Sequence, residues 1–123
     1  RPQRFAEAVA EMHAAGVMPD VWKIEGAETK EGMDICSEAA FNGGKEQVEI
    51  VILGRGATMD KVEHWLREGA KSKGVTGFAV GRTVFSEAVE QLHKGEISDE
   101  EALNTIAQNY EHCIEVFESA HNA

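Results

Sequence analysis

Positive charge and cysteine are scarce in this chain, and long apolar runs are missing altogether. Twelve Lys and Arg face twenty-two Asp and Glu, a formal charge of −10 over 123 residues. A phosphate backbone would be repelled over most of such a surface, so nucleic acid is not an expected partner. No apolar segment approaches the roughly 18 residues needed to cross a bilayer, and no charged-then-apolar signal segment opens the sequence. The expectation is a soluble, cytoplasmic protein with no membrane partner. Cys36 and Cys113 fall on apolar faces of predicted helices without CxxC or Cys/His spacing, which reads as buried thiols in a reducing compartment. The five histidines show no ligand spacing beside a carboxylate, so no metal and no cofactor is expected.

What is present suits one α/β domain: 42% of residues are hydrophobic, and no linker or low-complexity stretch divides them. Phe5, Ala8, Val9 and Met12 recur at helical spacing and predict a helix over 3–15, closed by Gly16. Pro19-Asp20 breaks it, and Val21 to Glu25 read as a strand with Lys23 and Glu25 on one face and Trp22 and Ile24 on the other. Thr29 is the expected N-cap of a second helix carrying Met33, Cys36, Ala40 and Phe41, which Gly43-Gly44 ends. Val48 to Leu53 is nearly continuous aliphatic sequence, the pattern of a parallel strand covered on both faces. A third helix follows through Val62, Trp65 and Leu66, then a strand at Gly77-Phe78-Ala79-Val80 and a helix through Val84, Phe85, Ala88 and Leu92. Ser98 and Glu101 have capping-box spacing at the start of the last helix. The order α-β-α-β-α-β-α-α, with connections too long for hairpins, implies parallel strands and right-handed crossovers.

Three parallel strands cannot close a barrel, and an open sheet leaves its edges bare. The chain also opens Arg1-Pro2-Gln3-Arg4 without a methionine and runs straight into a helix, so further strands are expected from a longer parent or a partner chain. Lys23 is the conspicuous residue of the first strand, because burial disfavours the ammonium form and favours a neutral amine able to attack a carbonyl. The second and third strands each end in a Gly-Arg pair, Gly54-Arg55 and Gly81-Arg82, spaced 27 residues apart. Ligands bind at the carboxyl ends of parallel strands. There glycine lets the backbone approach an anion, the next helix offers free N–H groups and arginine adds a forked charge. Gly54-Arg55-Gly56 lacks the third glycine of a dinucleotide loop. Plainer roles stay open on the residues alone: Lys23 reaching the rim to pair with Glu25, Arg55 and Arg82 as salt bridges at helix starts, and Trp22 and Trp65 as packing.

Trp22-Lys23-Ile24-Glu25, Ile52 to Gly56, Val62 to Leu66 and above all Gly77 to Phe85 resemble the barrel domain fused to bacterial deoxygluconate kinases of inositol catabolism, which is similar to the class I tagatose-bisphosphate aldolases. The resemblance spans nearly the whole chain. It implies the C-terminal portion of a (β/α)8 barrel, about strands six to eight, with Lys23 at the Schiff-base position and Gly54, Gly81 and Arg82 in phosphate loops. The implied substrate is a phosphorylated keto sugar acid cleaved to dihydroxyacetone phosphate and malonate semialdehyde. The family's strands one to five, with a further lysine and the acid/base carboxylate, have no counterpart in this sequence, so the isolated chain is expected to be inactive. Glu25 stands two residues from Lys23 on the same face and is a candidate to aid its chemistry; Arg55 and Gly56 join the candidate phosphate site. The alternative reading is a non-catalytic sugar-phosphate-binding or structural half-barrel. A homo-oligomer or the remaining strands of the same barrel are the expected protein partners.

Overall fold

Pro2, whose fixed φ suits the first turn of a helix, starts helix α1 (Pro2–Ala14), and Gly16 leaves it in the left-handed region at φ 86°. In the computed structural model, which describes residues 1–123, there follow β1 (Val21–Glu25), α2 (Lys30–Phe41), β2 (Glu49–Leu53), α3 (Met59–Ala70), β3 (Val75–Ala79), α4 (Arg82–His93) and α5 (Asp99–His121). The element order read from the sequence is the one observed. Thr29 and Thr58 cap α2 and α3 by accepting from Gly32 N and Lys61 N, and Ser98 and Glu101 form the full capping box at α5.

The strands pair in parallel in the order β1-β2-β3, with Lys23 opposite Val51, Glu25 opposite Leu53, and these in turn opposite Gly77 and Ala79. The third strand begins at Val75, two residues before the sequence pattern suggested. Gly74, at φ 93°, turns the chain early enough for Val75 to pair with Ile50, and the register slips between Ile50 and Val51. All the helices pack on one side. Trp22, Ile24, Ile50, Ile52 and Val75 join helical Val9, Met33, Leu66, Cys113 and Phe117 in one core of 17 buried residues. Burying each large aliphatic side chain there contributes about 1.5–3 kcal/mol.

The opposite face is open. Val21, Lys23 and Glu49 are exposed on it, and Glu25, Val51 and Leu53 are half-buried. The expectation that β2 is covered on both faces is therefore not met: Ile50 and Ile52 are sealed under helices, whereas Val51 and Leu53 lie on a face that no element of the chain crosses. Both thiols are free and buried, as expected, and burial pushes each above its ordinary range. No helix is long and apolar enough to cross a membrane.

A polar network ties α2 to the turn before β3. Ser72 Oγ donates to Asp34 Oδ1 at 2.6 Å, Lys30 Nζ donates to Asp34 Oδ2 at 2.6 Å, and the Ser37 and Ser72 hydroxyls lie 3.2 Å apart. Partial burial pushes the Asp34 carboxyl up, but the hydrogen bonds from Lys30 and Ser72 outweigh it and hold the group below its ordinary 3.8. A carboxyl depressed in the folded state stabilises the fold above its unfolded pKa, and that contribution is lost as pH falls through the folded value. Thermal melts should therefore show the melting temperature dropping below about pH 4. Asp34→Asn should melt lower at neutral pH and lose less on acidification.

Candidate functional site

The loops leaving β2 and β3 are built against each other. After β2 the chain reverses through Arg55 at φ 56° and Gly56 at φ 70°, with Ala57 N donating to Gly54 O at 3.0 Å, the pattern of a type I′ turn. A side chain at Gly54 would be crowded: a Cβ there would sit 3.1 Å from Val80 Cγ1 and 3.3 Å from Val62 Cγ2. At Gly56 a Cβ would lie 2.9 Å from Arg82 Cζ, so the Arg82 guanidinium rests directly on the first loop. Thr83 Oγ1 adds a hydrogen bond to Ala57 O at 2.5 Å. The two Gly-Arg corners expected from sequence thus form one continuous surface.

That surface keeps an unneutralised positive end. Gly81, the N-cap of α4, has no side chain to satisfy the first amides, and the first turn of α4 contains no acidic residue. Arg82 is exposed and forms no salt bridge. Free amides at a helix start, the helix dipole and an unpaired guanidinium together attract an anion. Arg55 differs. Its Nη1 binds Glu25 Oε2 at 3.2 Å, and Arg1 Nη2 reaches the same oxygen at 3.4 Å. Arg55 therefore has the salt-bridge role that the sequence left open, with a strand-end carboxylate as its partner.

Lys23 stands on the open face, as the alternation predicted, and lines a cleft of about 810 Å³ at the carboxyl end of β1, with Glu25, Glu28, Arg1, Arg4 and Leu53 among its walls. The lysine is exposed rather than withheld from water, because no element of the chain covers this face of the sheet. The Lys23–Glu25 pairing that the sequence left open as a plainer role is also absent. Glu25 is held by the arginines, and Lys23 forms no ion pair.

Sequence reasoning missed Glu28. It lies three residues beyond the end of β1, and its Oε1 accepts from Trp65 Nε1 at 3.1 Å. His64 Nε2 lies 2.7 Å from the Glu28 carbonyl and 3.7 Å from Glu28 Oε2. The available signal was position, since the loop after a parallel strand faces the ligand side; the His64-Trp65 pair on α3 reaches it only through tertiary packing. Close approach makes this possible: a Cβ on Gly26 would fall 2.4 Å from Trp65 Cβ. Elsewhere, His112 and Arg67 bind Glu63 between α5 and α3; the His112 hydrogen bond outweighs partial burial and holds the Glu63 carboxyl below its ordinary 4.5. No group of three or more His, Cys, Asp or Glu side chains is arranged to hold a metal ion.

Fold and geometry together define an α/β protein with a one-sided parallel sheet whose carboxyl-end rim carries an uncapped helix start and an unpaired arginine. The chain belongs to the family described as "Uncharacterized protein conserved in bacteria (DUF2090)", whose profile matches residues 1–121. No curated protein and no solved structure matches it.

Because Trp65 packs on the backbone of Gly26, overpacking at this contact should be costly. Gly26→Ala is expected to destabilise the fold by about 1–3 kcal/mol, read from denaturant midpoints at unchanged slope.

Proposed function

We propose that this chain is the C-terminal portion of a (β/α)8 barrel, about strands six to eight, and that the parent protein is a class I aldolase acting on a phosphorylated keto sugar acid. One observation carries the reading: an unpaired lysine amine on the open face of a parallel sheet whose carboxyl-end rim bears an uncapped helix start and an unpaired arginine. A barrel interior is the face turned away from the helices, and Lys23 is on that face. Its exposure follows from the three-strand sheet; further strands, from the same chain or another copy, would cover it, and removal of water disfavours the charged amine.

In this mechanism the amine attacks the ketone carbon, water leaves, and the resulting iminium draws the electron pair of the breaking carbon–carbon bond. As that bond breaks, the hydroxyl β to the iminium gives up its proton to a base and becomes the aldehyde of malonate semialdehyde, which departs, and dihydroxyacetone phosphate remains as its enamine; protonation of the enamine carbon and hydrolysis of the iminium then release the second product and the free amine. Gly54, Gly56, Gly81 and Arg82 would anchor the phosphate. Arg55 contributes at one remove, fixing Glu25 through their salt bridge. Neither a metal nor a cofactor is required by these steps, and the reaction suits the cytoplasm. A second reading, non-catalytic sugar-phosphate binding, is favoured by the pairing of Glu25 with arginines, which leaves Lys23 without a proton-transfer partner.

Borohydride reduction of the intact protein with dihydroxyacetone phosphate separates the readings. Aldolase chemistry predicts a covalent adduct on Lys23 by peptide mass spectrometry; binding without any adduct supports the sensor. Lys23→Met should abolish turnover while phosphate-ligand affinity stays within about tenfold, or about 1.4 kcal/mol. Arg82→Ala should weaken the ligand by more than that and leave the amine reactive toward small aldehydes. Equal loss of binding in both variants would refute this division of labour.

A further inference from the structure

Helix α5 is longer than the layer it packs in. Cys113 Sγ lies 3.9 Å from Met59 Sδ at the start of α3, and His121 Nδ1 lies 3.2 Å from Ala70 O at its end, so residues 113–121 run alongside the whole of α3. Residues 99–112 continue for about 20 Å beyond that level, past the carboxyl ends of the strands. There α4 is their neighbour. Asn109 Nδ2 donates to Val84 O at 3.0 Å near the start of α4, and Ala88 and Ala102 are buried farther out, so the two helices form an antiparallel hairpin that stands above the rim.

The hairpin has a second apolar face. One residue after each inward-facing position comes an exposed apolar one: Phe85 and Val89 follow Val84 and Ala88 on α4, and Leu103 and Tyr110 follow Ala102 and Asn109 on α5. With Leu92 and Ala107 these make stripes at i, i+4 and i+7, the spacing of a helix seam. In an antiparallel pair equivalent flanks lie on the same side, so the two stripes join into one face without a charged side chain. Only its base is touched within the chain, where Tyr110 meets Phe78; Leu103 farther out is 68% exposed. Strands added beside β1 or β3 would leave this face bare, because it lies beyond the strand ends.

We infer that this face binds a second copy of the chain, each hairpin supplying two helices of a four-helix bundle about a two-fold axis parallel to the helices. Charge favours that arrangement. It lays α4 of one copy antiparallel to α5 of the other, which sets His93 at the end of α4 beside the acidic start of the facing α5, Asp99 and Glu100. Neither His93 nor Glu100 has an ion-pair partner in its own chain. A two-fold perpendicular to the helices would instead lay α5 on α5 and bring Glu100 against Glu111. Each hairpin offers a face about 18 Å long and about 20 Å wide, so the two copies together bury on the order of 1,000 Å², the lower limit for a specific interface. The dimer is therefore a weak one, and it does not depend on the proposed chemistry.

Sedimentation equilibrium of the intact protein, from low micromolar to several hundred micromolar, tests this contact. The average mass should rise toward twice that of one chain, with a dissociation constant of about 1–100 μM. Val89→Glu and Leu103→Glu, both at exposed positions, should each keep the protein monomeric over that range and leave its melting temperature at low concentration unchanged. His93→Glu should weaken association severalfold, and Glu100→Lys added to it should restore it. A mass that stays at one chain at the highest concentration overturns the inference. So does association that survives both Val89→Glu and Leu103→Glu, which would assign the contact to the open sheet, and failure of the His93 and Glu100 exchange to rescue overturns the parallel two-fold.

Discussion

Parallel pairing with every helix on one side is the constraint from which the rest follows. Because β1, β2 and β3 run the same way, their carboxyl ends lie together, and the three loops that follow them form one rim. Because Trp22, Ile24, Ile50 and Ile52 are buried under helices, the alternate residues Lys23, Glu25, Val51 and Leu53 must face the other way. The open face and the rim of loops are thus two consequences of one hydrogen-bonding pattern.

On that rim, charge is sorted by pairing rather than by residue type. Arg55 and Arg82 both follow a glycine at a strand end, yet Arg55 is spent on Glu25 and Arg82 is left free over the backbone of Gly56. Glu25 and Glu28 likewise share a cleft, one neutralised by arginines and the other held by the Trp65 indole. An acidic protein of net charge −10 therefore keeps an unpaired guanidinium beside an uncapped helix start without any dense cluster of basic residues.

Local structure was readable where one residue carries the reason. Thr29 and Ser98 announce helix starts, Gly16 and Gly44 mark left-handed turns, and the alternation of Val21 to Glu25 assigns Lys23 its face. The start of β3 was not readable, because Gly74 and the slip near Ile50 decide it through pairing with a neighbour. The aliphatic run of β2 looked like a strand covered twice, yet one covered face suffices to bury Ile50 and Ile52. Glu28 gave no sign beyond its position after a strand: its partners are 36 and 37 residues away on α3.

The sequence by itself determined the order of elements, their caps, the face on which Lys23 stands and the two glycine corners, because these depend on periodicity and on backbone freedom at single positions. Only the tertiary structure decided which charges are paired and which remain available. A salt bridge depends on distances of a few ångströms between residues far apart in the chain, and those distances are set by how the helices and loops dock around the sheet.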